Sequence, residues 1–236
     1  MGVNSGSAGR GRRRYESPLR DQQARQTRRA IVAAATRLFV ARGYAGTSLA
    51  DIAAHASVAR PTAFAAFGSK AALLREVVDQ ALAGDDEPVP VADRPWFRPV
   101  REGRTPEAVL AAYAEVCRII GGRAADVFEV VRQAADEGPE LAGLWEEMER
   151  NRRAGAAMVI DRIAEIAPGS YRLDRDRAVD VVWMFNDPSH YRSLVRARGW
   201  GEREYTAWIA DHMHHGLGLD VARPVPGDPV RDDDDT

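Results

Sequence analysis

The stretch Thr47-Ser-Leu-Ala-Asp-Ile-Ala-Ala-His-Ala-Ser-Val-Ala-Arg-Pro-Thr-Ala-Phe-Ala-Ala-Phe67 holds two short helices and the break between them. Ser48 followed three residues later by Asp51 has the spacing of a capping box, an N-cap hydroxyl with an acid placed to bond back. The helix it starts turns Leu49, Ile52 and Ala53 inward. A break at His55 to Val58 separates it from a second short helix over Arg60 to Phe67, where Pro61 suits a first turn.

Working outward, Ile31, Ala34, Ala35, Leu38 and Phe39 recur at steps of three and four, which predicts a helix over Gln22 to Arg42 stopped by Gly43. On the other side Ser69 caps a predicted helix from Lys70 to Ala83 that buries Leu73, Leu74, Val77 and Val78. Further helices are expected at Thr105 to Ile120, Arg123 to Glu137, Pro139 to Ala167, Asp174 to Asn186, Pro188 to Arg198 and Glu202 to Leu217. Gly121-Gly122, Gly138-Pro139, Pro168-Gly169 and Asp187-Pro188 punctuate them. No strand-like alternation is present, so the expected fold class is all-α. Residues 1–20 read as a disordered basic arm, 21–83 as the first domain, and 84–104, rich in Pro and acid, as a linker. A second helical domain is expected over 105–220, followed by a disordered acidic tail over 221–236.

Charge follows the same division. Of 33 basic and 35 acidic side chains, residues 1–83 hold 13 and 5, leaving 20 and 30 for the rest. A basic first third suggests a polyanionic partner, and an acidic remainder a different task. The 45% apolar content excludes general disorder, and the single Cys117 excludes a disulfide framework. No uncharged run exceeds nine residues, well under the roughly 20 that a bilayer span needs. No membrane partner is expected, there is no secretory h-region, and the chain reads as cytoplasmic.

Two short helices joined by a turn suit a helix-turn-helix, in which one helix enters the major groove while its partner crosses the backbone. On spacing alone a plain core hairpin suits them as well. The residues go further. Gln26-Thr-Arg-Arg-Ala-Ile-Val-Ala-Ala-Ala-Thr-Arg-Leu-Phe-Val-Ala-Arg-Gly-Tyr44, Thr47 to Ala53, Val58-Ala-Arg-Pro-Thr62, Phe64 to Phe67 and Gly68-Ser-Lys-Ala-Ala-Leu-Leu74 closely resemble the N-terminal domain of TetR family transcriptional regulators.

That resemblance implies a three-helix DNA-binding head followed by a larger helical domain that dimerises and binds a small-molecule effector. It implies phosphate contacts from Thr47 and Ser48 at the start of the second helix and from Lys70, the only lysine of the chain. It also implies that Arg60, Pro61 and Thr62 open the recognition helix toward base edges of a palindromic duplex operator, with Phe64 beside them. This chain departs from the family at four places. Ser57 replaces the turn glycine, at about 1 kcal/mol if the position is left-handed, and Ala59 replaces the serine cap, at about 1 kcal/mol. Phe64 replaces a tyrosine, and Ala65 and Ala66 replace larger residues.

For the second domain, a homodimer is expected through Asp174 to Asn186 and Glu202 to Leu217. Val179, Val182, Trp183, Tyr205, Trp208, Ile209 and Met213 are expected to supply apolar surface there. The expected effector cavity takes its walls from Tyr113, Phe128, Val131, Trp145 and Met148, with Asn186 and His190 as polar contacts near the break at Pro188. Enzyme readings find little: no Gly-rich phosphate loop, no Gly-x-Ser-x-Gly elbow, no Cys-x-x-Cys pair, and no cofactor is expected. Cys117 fits a small buried residue. His212 and His215 share a helix face but lack further ligands, so His212 is expected to pack with Trp208. The leading expectation is a sequence-specific DNA-binding transcriptional regulator, a repressor released by a small molecule. The alternative is a helical small-molecule-binding protein or enzyme without specific DNA recognition.

Overall fold

The computed structural model describes residues 18–219, with side chains from residue 20 onward. Every regular element among them is helical. Helix α1 spans Pro18–Arg42, α2 Leu49–His55, α3 Arg60–Phe67 and α4 Lys70–Ala83. A short 3-10 turn at Val91–Asp93 leads to α5, Arg98–Glu102. Two long helices follow, α6 at Pro106–Ala134 and α7 at Pro139–Ile166, and then α8 at Arg175–Phe185. The short α9, Pro188–Tyr191, passes into a π-helical turn over Arg192–Ala197 and is followed by α10, Glu202–Leu217. The basic arm lies outside the described residues apart from 18–20, which open α1; the acidic tail over 221–236 also lies outside them.

Local chemistry sets most helix ends. Gly43 adopts φ 72° after α1 and Gly84 adopts φ 92° after α4, left-handed positions that glycine takes without strain. The hydroxyls of Ser69 and Thr105 accept from the amides of Ala72 and Ala108, and the Asp174 carboxylate from that of Arg177.

Gly121-Gly122, expected to break a helix, lies inside the continuous α6. A Cβ on Gly121 would stand 2.6 Å from Cβ of Tyr191, so that glycine permits close approach of α9 to α6. Residues 84–104, expected as a linker, are folded and packed. Phe97 and Val100 are buried, and Arg94 is only 5% exposed. Its guanidinium donates to Oδ2 of Asp85 at 2.6 Å, to the carbonyl of Glu87 at 2.9 Å and to that of Val89 at 3.1 Å. One buried arginine thus closes residues 85–89 into a strap.

Two apolar cores hold the molecule together. The second gathers Phe97 and Val100 with the first half of α6, the second half of α7, α8 and α10. The first contains the inward faces of α1 to α4, and Val127, Phe128, Val131, Leu141, Leu144 and Met148 of α6 and α7 belong to the same cluster. The three-helix head therefore has no core of its own. Val179, Val182, Tyr205, Ile209 and Met213, expected at a dimer face, are buried within the protomer because α8 and α10 pack on α6 and α7. At that end Met184 is 60% exposed, with Trp183 and Trp208 half-buried.

Candidate nucleic-acid interface and effector cavity

Helices α2 and α3 form the helix-turn-helix. Ser48 closes the capping box: its hydroxyl donates to Asp51 at 2.6 Å, its amide donates to the same carboxylate at 3.0 Å, and the Asp51 amide donates back at 3.1 Å. Those bonds hold the Asp51 carboxyl below its ordinary range. The turn passes through Ser57 at φ 56°, the left-handed position expected to strain a residue with a side chain. Ala59 stands at the N-cap of α3 without a side-chain hydrogen bond.

Arg60, Pro61, Thr62 and Phe64 all face outward, with Phe64 60% exposed. Phe67 is held inward: Arg28 stacks on its ring at 4.2 Å and donates to the carbonyl of Ala66 at 2.6 Å. Arg60 has no carboxylate partner among the described residues, which leaves its guanidinium directed to solvent.

Two of the residues expected at phosphate are engaged inside the protein. Thr47 is 2% exposed, and its hydroxyl lies 2.9 Å from the carbonyl of Gly43 and 3.3 Å from that of Leu38, so it has no reach to a phosphate. Lys70 folds back over the ring of Tyr44 at 3.8 Å and donates to the carbonyls of Tyr44 and Thr47 at 2.9 and 3.1 Å. Burial lowers its pKa. Two of its three N–H groups therefore pin the turn between α1 and α2. Ser48 is exposed at that turn, with its hydroxyl engaged by Asp51.

A cavity of about 730 Å³ lies beneath the head, between α4, the 85–92 strap, α6, α7 and the start of α9. That size suits a small organic molecule. Tyr113, Phe128, Met148 and Asn186 line it as expected, together with Val116, Cys117 and Ile120. Val131 and Trp145 do not; both pack into the first core. Nor does His190, whose ring turns outward to Phe185 and Trp208, with Nε2 3.0 Å from the carbonyl of Met184.

Arg152 is the polar organiser of the cavity floor and was not expected. Its guanidinium donates to Glu149 at 2.6 Å, to Oδ1 of Asn186 at 3.1 Å and to the carbonyl of Trp183 at 2.9 Å. So oriented, Asn186 donates to the hydroxyl of Tyr113 at 2.8 Å. Burial pushes the Cys117 thiol up to about 12, which keeps it protonated and poorly nucleophilic. Asp79, on α4, also lines the cavity, and the protein packed around it raises its carboxyl above the ordinary range.

The far end is aromatic. The His212 ring lies 4.4 Å from Trp208, as expected, and its Nδ1 lies 2.8 Å from the carbonyl of the same residue. Among the described residues no group of three His, Cys, Asp or Glu side chains is placed to hold a metal ion, and no helix is long and apolar enough to cross a membrane.

Residues 31–77 match the family described as bacterial regulatory proteins, tetR family. No curated protein matches the chain. Among solved structures the fold is similar to that of a protein assigned as a TetR-family transcriptional regulator from Mesorhizobium loti. Its TM-score is 0.55 at 18% identity, over 84% of this chain and 98% of that one. A protein assigned as a transcriptional regulator from Pseudomonas aeruginosa gives a TM-score of 0.62 at 16% identity, over 85% and 92%. PfmR, a TetR family transcriptional regulator from Thermus thermophilus, gives 0.53 at 19%, over 81% and 99%. With an exposed recognition helix set in the matched stretch, residues 31–77 are a head of the kind that bacterial regulatory proteins of the tetR family carry, and the described residues share their overall fold with those solved structures.

Proposed function

We propose that this chain represses transcription as a homodimer on a palindromic operator and is released when a small molecule enters the cavity under its head. The observation that carries the reading is the way the cavity wall is tied to the head. Asp86 of the strap receives two hydrogen bonds from Arg29 of α1, each 2.7 Å. Glu76 of α4 accepts from Arg28 of α1 at 3.1 Å. Both carboxylates line the cavity. A ligand that displaces the strap or α4 therefore acts on the helix against which the helix-turn-helix packs, and a coupling of about 1–3 kcal/mol would alter operator affinity 5–150-fold.

On the DNA side, Arg60 and Thr62 meet base edges while Pro61 and Phe64 pack along the groove. Ser48 sits beside the backbone, and Thr47 and Lys70 hold the turn that presents it. For the dimer, Met184 and the Phe185, Trp208 and His212 cluster form the face on which a second copy packs, and two heads related by a two-fold axis then read a palindrome. Selection from random duplexes, followed by fluorescence anisotropy on the winner, tests the reading. A palindromic site bound by two protomers is the expected result; a pool with no enriched sequence would overturn it.

A further inference from the structure

The cavity wall is unevenly charged. Five carboxylates line it, Glu76, Asp79, Asp85, Asp86 and Glu87, against one cation, Arg152. Most of these charges are already answered. Glu76 is held by Arg28, Asp85 by Arg94 and Asp86 by Arg29, and the guanidinium of Arg152 is committed to Glu149, Asn186 and the carbonyl of Trp183.

Two carboxylates are left, Glu87 on the strap and Asp79 on α4, and neither side chain makes a hydrogen bond or ion pair with any described residue. Asp79 is the one carried by the helix that packs on the head, and Arg75, one turn earlier, is turned to Glu147 at 2.6 Å. The same cavity carries an apolar wall from α6 and α7, with Val116, Ile120, Phe128 and Met148. We propose that the cavity takes an organic monocation with an apolar body, the positive group paired with Asp79 and the body against α6 and α7. This assignment rests on the cavity being the effector site and names the chemistry of the effector. An anion would meet the unanswered carboxylates without finding a free guanidinium, and a neutral molecule would leave Asp79 unpaired. A cation with an apolar body answers both features of the wall, its charge against Asp79 and its body against the apolar side chains.

The experiment uses the full-length protein and two fluorescent probes with one body: the N-methylated dimethylaminostyrylpyridinium cation and its unmethylated neutral twin, in buffer alkaline enough to keep the twin uncharged. The cation is expected to bind about tenfold or more tightly than the twin. Asp79→Asn should bring the cation down to the twin's affinity while leaving the twin unchanged, with a melting curve showing that the variant is folded. Val89→Trp, which enlarges a strap residue on the cavity wall, should weaken both probes. Equal affinity of the two probes for the parent protein, or a preference that survives Asp79→Asn, overturns the charge assignment. In that case Val89→Trp still reports whether the cavity is the site. If neither probe binds, the cation assignment falls, and anisotropy of the operator complex with uncharged and anionic compounds then decides the effector reading on its own.

Discussion

Arg29 and Asp86 meet side by side, Nε and Nη2 each 2.7 Å from a carboxylate oxygen, and join the first helix of the head to the strap over the cavity across 57 residues of sequence. The pair is fork-to-fork, the geometry in which an arginine fixes direction as well as distance. It lies at the surface, where an ion pair adds little to global stability. Asp86→Asn should therefore leave the melting temperature close to that of the parent while hydrogen exchange at residues 85–90 speeds up. It should also bring the ligand-induced change in operator affinity toward one. Unchanged exchange in the strap would show that Arg94 alone holds it.

Arg60 and Lys70 should separate in a DNA-binding assay. Arg60→Ala is expected to cost about 1–3 kcal/mol on the selected operator and much less on random duplex. Lys70→Ala should act mainly through the turn that its ammonium pins, lowering thermal stability and weakening every duplex alike. A variant of Lys70 with parental stability and a salt slope smaller by about one would instead identify a phosphate contact.

Asp79 should make stability depend on pH in a definite sense. Its carboxyl is raised in the folded protein, chiefly by desolvation, so the folded state holds a proton more readily than the unfolded chain. Stability is then greatest below the ordinary carboxylate range and falls as pH rises through the raised value. Asp79→Asn should be more stable than the parent near neutrality, and thermal melts should show that advantage shrinking in acid. An advantage that grows in acid would mean that the carboxylate is stabilised where it stands.

Ala59→Ser supplies the missing cap of α3 and should add about 1 kcal/mol, seen as a rise of about 2–4 °C in melting temperature. The effect requires Ala59 to keep its extended φ of −68° and ψ of 141°, which a serine cap shares.

Gly121→Ala should cost about 1–3 kcal/mol by overpacking, since the new Cβ would stand 2.6 Å from Cβ and 2.7 Å from Cγ of Tyr191. Gly143→Ala, on an open part of α7 with no atom within 4 Å of the added carbon, is the control and should be neutral or slightly stabilising.

The head was legible from sequence because its determinants are local. Gly43, the Ser48 and Asp51 box, and the run from Arg60 to Phe67 each set their own backbone, and the structure places helix ends at those residues. Where tertiary contacts decide, local rules point the wrong way. Gly121-Gly122 has the composition of a break, yet its shape answers Tyr191, some 70 residues on. Proline and acid at 84–104 have the composition of a linker, but Phe97, Val100 and the buried Arg94 fold it; the apolar trio of Trp96, Phe97 and Val100 was the available signal. Arg152 stands among Glu146, Glu147, Glu149, Arg150 and Arg153, which looks like a solvated charged face, and only the approach of α8 turns it into the floor of a cavity. The bonds of Lys70 to two carbonyls of its turn were not legible, since they depend on where the Tyr44 ring lies.

The sharing of one core between the helix-turn-helix and the bundle has a consequence for recombination among such regulators. Phe128, Val131, Leu141, Leu144 and Met148 complete the packing of α1 to α4, so a chimaera joined after Gly84 would set a foreign reading head on a surface shaped for this one. Each mismatched methylene at that seam leaves a void or a clash. Exchange of operator specificity between relatives is therefore easiest when only the outward residues of α3 change, and a whole-head transplant must bring the facing side of α6 and α7 with it.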